Sequence, residues 1–549
     1  MQANEEFTPV AEAEAGAGTY TYGMDEAKHE VAFMRILRDL VGGNLRQYGM
    51  FIALAALIIF FEIGTGGKFL TPSNLQNLLN GYSYVLIMAI GMLFVIIMGH
   101  IDLSVGSVAA VVGICMALSI RSGPSWFLII GIPVGVIGGV AIGVALGRFF
   151  IRQGMTRILA ILAGVGVGLV AGAAIAVLFS WLIHTFGIPW WGGLLIGIGV
   201  GAIAGAWQGT WLAFIGVPGF ITTLAGQMLF RGLDQWVGKA ESISVPKQII
   251  WIGNGYLPQI GPTWGTATGL NNLTILLGLI AIGFVIWTTL RSRARTRAAG
   301  GAVPALWIIV LRLVLIVAFL GVVTYMYASG RPGTSFPVTG CILIIFAGAY
   351  HFLSTRTPMG RSVYAVGGNR IAAELTGISN KRVYFLMMLN MSLLAAVAGI
   401  MFIGRSQSTG PGDGVGWELD AIAAVFIGGA AVTGGVGTVV GAVIGGLVMA
   451  VLNYGLYSMG VGSDLAAIIR GLVLLVAVAF DLASKAQGRP SLIGTVMRGL
   501  GLGQKQEAAA ETATSQETDL GALALSANGS TSAPQDDDGI AVAIPPSQG

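Results

Sequence analysis

Polar and apolar positions along the chain change in long blocks rather than at short period. Fourteen apolar segments begin near Gly49, Tyr82, Ser104, Trp126, Ile158, Gly192, Pro218, Asn271, Pro304, Val338, Tyr384, Leu419, Gly437 and Leu465. Most approach or exceed the roughly 20 residues that cross a bilayer as helix. The period-two alternation of outer-membrane barrels is missing. The pattern predicts an all-α, polytopic integral membrane protein of an inner-type membrane, with about 14 transmembrane helices.

Composition sharpens this reading. Only 10% of the 549 residues are charged, against 55% hydrophobic and 84 glycines, far from the roughly one-quarter charged of soluble domains. The net charge of +4 hides an asymmetry, because the first 27 residues hold six acids and no base, and the last 48 hold seven acids and one base. The remaining excess of base lies in short clusters between apolar segments, at Arg148, Arg152 and Arg157, at Arg291 to Arg297, at Arg356 to Arg382, and at Lys485, Arg489 and Arg498. That is the positive-inside pattern, and it argues against nucleic-acid binding. It sends odd segments outward and even ones inward, with both termini cytoplasmic. The expected organisation is a disordered acidic segment over 1–30, a cytoplasmic juxtamembrane segment over 31–48, a transmembrane domain over 49–486 and a largely disordered acidic cytoplasmic tail over 487–549. No cleaved signal peptide is expected, since no basic region leads into a short apolar one at the start.

Three local features carry the chemistry. Asp102, in GHIDLSVGS, stands between two apolar runs, where a carboxylate costs about 2.5 to 3.5 kcal/mol on insertion scales. It caps the half-helix that begins at Ser104, or it meets a moving solute. Glu418 and Asp420 stand ahead of AIAAVFIGGAAVTGG with the same grammar of an acid before a glycine-rich apolar run, which hints at an old duplication. The loop from Thr357 to Ile378 holds a short helix that Asn369 caps and Gly377 ends, either a docking element or a helix lying at the interface.

Other chemistries are poorly served. No GxxxxGKS/T phosphate loop occurs, and Gly67-Lys68 and Gly238-Lys239 lack its spacing. The histidines His29, His100, His184 and His351 have no metal-ligand spacing, and the cysteines Cys115 and Cys341 imply neither a disulfide nor a zinc site. No nucleophile elbow is found. The chain is expected to need no catalytic residues, metal or cofactor of its own.

Four blocks in fixed order then define a resemblance: GHIDLSVGS, PGFITTLAGQMLFRGL (Pro218 to Leu233), TPMGRSVYAVGGNRIAAELTGIS, and Trp417 to Gly446. Together they resemble the membrane permeases of ribose/xylose-type ABC importers, over about Gly49 to Ala486. GHIDLSVGS with AWQGTWLAFIGVPGF (Ala206 to Phe220) is most similar to the xylose and multiple-monosaccharide branch. The resemblance implies a type II ABC importer permease fold, a permease homodimer in membrane lipid, a periplasmic sugar-binding protein outside and a separate ATPase subunit inside. It implies that Gly368, Asn369, Ala372, Ala373, Glu374, Leu375 and Gly377 belong to the coupling helix that the ATPase grips. Asp102, Ser104, Glu418 and Asp420 would fall near the translocation pathway. Relative to ribose-type permeases, an extra pair of segments is expected near Ile158 to Ala206 and another near Asn271 to Tyr327.

Three rivals remain at this level. An ion-coupled secondary transporter would draw on Glu62, Asp102, Asp420 and Arg470, a branched-chain amino-acid permease would share the architecture, and a membrane-embedded enzyme would need a constellation that is not seen.

Overall fold

The structure, a computed structural model, describes residues 45–121, 131–186, 189–261, 269–301, 305–331, 333–431 and 433–485. The acidic head, nearly all of the juxtamembrane segment and the tail over 487–549 lie outside the described residues.

Helices fall on all fourteen apolar segments. The first half of the chain gives α1 (Leu45–Gly64), α2 (Pro72–Ile97), α3 (Val105–Arg121), α4 (Ile132–Arg152), α5 (Arg157–Phe186), α6 (Trp190–Thr210) and α7 (Gly219–Gly238). A two-residue strand β1 (Ile243–Ser244) and the short α8 (Lys247–Asn254) lead to α9 (Asn272–Ala298), α10 (Leu306–Ala328) and α11 (Val338–Arg356). Two short helices, α12 (Pro358–Gly368) and α13 (Arg370–Leu375), precede α14 (Asn380–Ser406), β2 (Ser408–Thr409), α15 (Trp417–Ile427), α16 (Val439–Ser458) and α17 (Ser463–Lys485). Eight described helices are long and apolar enough to cross a membrane, and α1 and α3 contribute shorter apolar stretches.

Local signals set the boundaries. Pro72 and Pro358 open α2 and α12, where a missing N–H costs nothing. Thr357, Asn369 and Thr438 each accept a backbone amide three residues on, at 3.0 to 3.2 Å. A π-helical turn, Trp211–Ile215, extends α6 until Gly216 stops it in the left-handed region at φ 87°.

The helix α2 is the axis. Its apolar window is 89% buried, and α14, α15, α16, α11 and α10 pack around it. A helix apolar on every side belongs in such a position. By contrast α9 and α10 are only 6% buried in their windows, and their exposed Leu279, Phe284, Leu315 and Phe319 form the surface that lipid would cover. At one end of the bundle β1 and β2 pair antiparallel, Ile243 with Thr409 and Ser244 with Ser408.

Two expectations change in detail. First, the peripheral pair in the first half is α4 with α5, which pack chiefly on each other, whereas α6 packs on α14 and α3. The grouping from Ile158 to Ala206 is therefore redrawn. The cause is a matched glycine row: a side chain at Gly139 would strike the Gly168 carbonyl, and one at Gly172 the Gly135 carbonyl, at 2.6 Å, so the two backbones touch. Second, the segment at Leu419 forms only the 11-residue α15, about 16 Å long at 1.5 Å per residue. It is too short to cross alone, and the non-helical residues 407–416 precede it.

Candidate functional site

Two interrupted elements meet inside the bundle. From the end of α2 the chain runs non-helically over residues 98–104 before α3 begins, and from β2 it runs non-helically to Gly416 before α15 begins. The start of α3 lies against the chain just ahead of α15: a side chain at Gly106 would collide with the Gly414 carbonyl and lie 2.8 Å from a Glu418 oxygen. Gly414 holds φ 77° and Gly416 φ 79°, which only glycine adopts without strain. Irregular backbone at membrane depth survives only where protein walls it in. Here α7 and α14 supply walls for α3.

The two N-termini therefore lie side by side, and α3 and α15 lead away from the crossing. Each carries partial positive charge, which accounts for the acids gathered there. Asp102 is fully buried, and its Oδ1 accepts from the Ser104 backbone N at 2.8 Å and from the Ser104 hydroxyl at 2.7 Å. The amide it accepts is the one immediately before α3, not one of the helix's own first-turn amides. The Ser104 Oγ accepts in turn from Gln208 Nε2 on α6, at 2.6 Å. Glu418 accepts from Gln227 Nε2 at 3.1 Å.

The helix α7 joins both halves. Thr223 donates to the Ile101 carbonyl at 3.1 Å, Gln227 to Glu418, and Arg231 to the Asp413 carbonyl. Arg231 also lies 3.9 Å from Asp234. Residues four apart share a helix face, so Thr223, Gln227 and Arg231 form a polar stripe along α7. Sequence reasoning missed Gln208 and this stripe. The i, i+4 spacing of the three polar letters was the available signal.

Asp420 belongs elsewhere. Two residues beyond Glu418 it points to the other side of α15, where it accepts from Asn453 at 3.2 Å and lies 3.6 Å from Arg470. It braces α15 against α16 and α17. Glu62, by contrast, closes a local turn by accepting the Leu70 amide at 2.8 Å.

A second candidate surface stands at the end of the bundle opposite the β-ribbon. Asn369 ends α12 and caps α13, and Asn380 holds α13 by donating to the Arg370 carbonyl and to Glu374, both at 3.1 Å. Ile371 and Leu375, one turn apart, project with 73% and 84% of their surface exposed. Gly368, Asn369, Ala372, Glu374 and Gly377 are exposed as well, but Ala373, expected on the docking face, is buried and turns inward. At Ala373 the helix rests on its own scaffold. Ile371 was not anticipated, because the loop holds several apolar residues and a six-residue helix is too short to show which of them face outward.

This surface is wired to the crossing. The Gly435 amide donates to the Ile97 carbonyl at 2.8 Å, a side chain at Gly367 would strike that same carbonyl, and the Tyr364 hydroxyl donates to the Gly437 carbonyl at 2.8 Å. The loop between α15 and α16 is thereby pinned between the end of α2 and α12.

Comparison with known proteins agrees with this geometry. A family model described as branched-chain amino acid transport system / permease component matches residues 159–478. The xylose transport system permease protein XylH of Haemophilus influenzae is 33% identical over 380 residues, 69% of this chain and 80% of the relative. XylH of Escherichia coli is 33% identical over 381 residues, 69% of this chain and 77% of the relative. The ribose import permease protein RbsC of Escherichia coli is 39% identical over 97 residues, 18% of this chain and 30% of the relative. No solved structure matches.

Proposed function

Because the chain belongs to the branched-chain amino acid transport system / permease component family, and within it is similar to sugar permeases, we infer that it is the permease subunit of an ABC importer for a monosaccharide. It is a multi-pass protein of the cytoplasmic membrane. Xylose is the sugar we propose, on the likeness to XylH over most of both chains. The branched-chain amino-acid reading has the family description behind it, while the relatives named above carry pentoses.

The observation that carries the mechanism is the exposed pair Ile371 and Leu375 on a short capped helix whose base is tied to the crossing. In this reading the α12–α13 end faces the cytoplasm, in keeping with the basic residues between Arg356 and Arg382 and with both termini inside. A separate ATPase docks on α13. When it closes on nucleotide it displaces α12, and the pinned loop passes the displacement to α15 and so to the crossing with α3. Such coupling needs an element with two arrangements that the ligand prefers unequally. The interrupted helices, joined by glycines and hydrogen bonds rather than continuous packing, are that element.

A sugar-binding protein delivers substrate at the β-ribbon end. A second copy closes over Val415, Leu419 and Met228, exposed apolar neighbours of the crossing, so that the path runs between protomers past Gln227 and Glu418. An ion-coupled carrier has less support, since Glu62 serves a turn and Asp420 is paired to Arg470, apart from Asp102. Uptake measured in membrane vesicles tests this reading. It should stop on ATP depletion and continue with an uncoupler; uptake that fails with the uncoupler while ATP is intact contradicts it.

A further inference from the structure

Around Asp102 the hydrogen bonds do not close. Asp102 Oδ2, Gln208 Oε1 and Ser107 Oγ are buried and have no partner among the described residues. Their residues are 0%, 0% and 1% exposed. All three are oxygens able to accept. They belong to one cluster, because Ser104 bonds both Asp102 and Gln208, at 2.7 and 2.6 Å, and Ser107 lies one turn beyond Ser104 on the same face of α3. Gly226 on α7 packs against Gln208 and Ser104, since a side chain there would lie 3.3 Å from Gln208 Nε2 and 3.4 Å from Ser104 Cβ.

The carboxylate lacks a counter-charge too. Arg231 lies against Asp234 and Arg470 against Asp420, and neither arginine reaches Asp102. A buried carboxylate with one oxygen unbonded, together with two further unbonded oxygens on residues of the same neighbourhood, is costly. One positive ion held among them would offset that cost.

We infer that Asp102, Ser107 and Gln208 bind a monovalent alkali cation that fixes the interrupted segment 98–104 to α6 and α3. A single carboxylate with neutral amide and hydroxyl oxygens matches one positive charge. Divalent sites gather several hard oxygen donors with more carboxylate charge, and no set of three His, Cys, Asp or Glu residues suited to a metal occurs among the described residues. The ion is a brace, not cargo, and its presence does not depend on which solute the permease carries.

The test uses the full chain in detergent at fixed pH and ionic strength, with thermal unfolding followed by tryptophan fluorescence in sodium, potassium or choline chloride. The expected result is a saturable rise of the midpoint with sodium or potassium over choline. Asp102→Asn should abolish that rise. Ser107→Ala, which keeps the charge and disturbs packing little, should raise the half-saturating cation concentration, and it serves if Asp102→Asn does not fold. Identical midpoints in the three salts would overturn the proposal. So would a cation response that survives Asp102→Asn or is unmoved in Ser107→Ala, or a midpoint that follows pH and ignores the alkali cation, which would assign a proton to the same oxygens.

Discussion

The crossing of α3 with α15 and the hairpin of α4 with α5 are both built on glycines whose carbonyls a side chain would strike, yet they differ in everything else. In the hairpin the glycines recur at four-residue spacing within unbroken helices, and the contact is apolar. At the crossing Gly106 and Gly414 bring together the ends of interrupted helices, with Asp102, Gln208, Gln227 and Glu418 around them. The same steric device therefore locks two continuous helices in one place and joins the ends of interrupted ones in the other. What differs is whether the backbone at the contact is continuous helix.

This contrast predicts unequal consequences for equal collisions. Gly106→Val should abolish uptake and cut the yield of monodisperse protein, because its neighbours are the Gly414 carbonyl and the Glu418 carboxylate and neither can retreat. Survival of uptake in that variant would break the comparison. Next in size, Ile371→Asp combined with Leu375→Asp should weaken binding of the companion ATPase roughly 100-fold, from about 1.5 kcal/mol per apolar side chain. Size-exclusion profile and unfolding midpoint should stay at wild type, which separates docking from folding.

Arg470→Met leaves Asp420 with Asn453 alone and should destabilise the chain by about 2 kcal/mol, between the values for exposed and buried pairs. Adding Asp420→Asn should recover most of the loss in a denaturant titration. If Asp420 instead lined the path, the double variant would fold and fail in uptake. The smallest effect belongs to the hairpin: Gly139→Leu should part α4 from α5 locally, while uptake keeps more than half its rate and the midpoint moves by a few degrees at most. A total loss there would mean that the hairpin is part of the moving machinery.

Much of the fold was legible because long apolar runs leave a chain few choices in hydrocarbon. All fourteen segments became helices, and the interruption at Asp102 was visible as a charge where none is cheap. The half-length of α15 was harder to read, since the glycine-rich run after Leu419 looks as apolar as a span, and the breaks are marked by the positive φ of Gly414 and Gly416 before the helix and of Gly429 after it. Asp420 shared its motif with Glu418, but two residues along a helix turn a side chain to the opposite side, and the partners there, Asn453 and Arg470, lie 33 and 50 positions away. Gln208 is a single polar letter inside an apolar helix, and its meaning comes from tertiary contact with Ser104, which no local pattern encodes. Gln227 shares an i, i+4 spacing with Thr223 and Arg231, but its contact with Glu418, 191 positions away, is tertiary as well. At the docking surface the cap at Asn369 was legible and the inward turn of Ala373 was not, because a six-residue helix has no periodicity to read.

The central claim is that this protein is a passive gate worked from its α12–α13 end by a separate nucleotide-hydrolysing subunit. Its most direct test is the accumulation of labelled xylose in proteoliposomes containing the purified chain, with and without the companion ATPase, the binding protein and ATP. The account predicts that the chain alone never raises the internal sugar above the external concentration and that accumulation appears only when all the companions are present. Accumulation by the chain alone, under a proton or sodium gradient and without nucleotide, would contradict it.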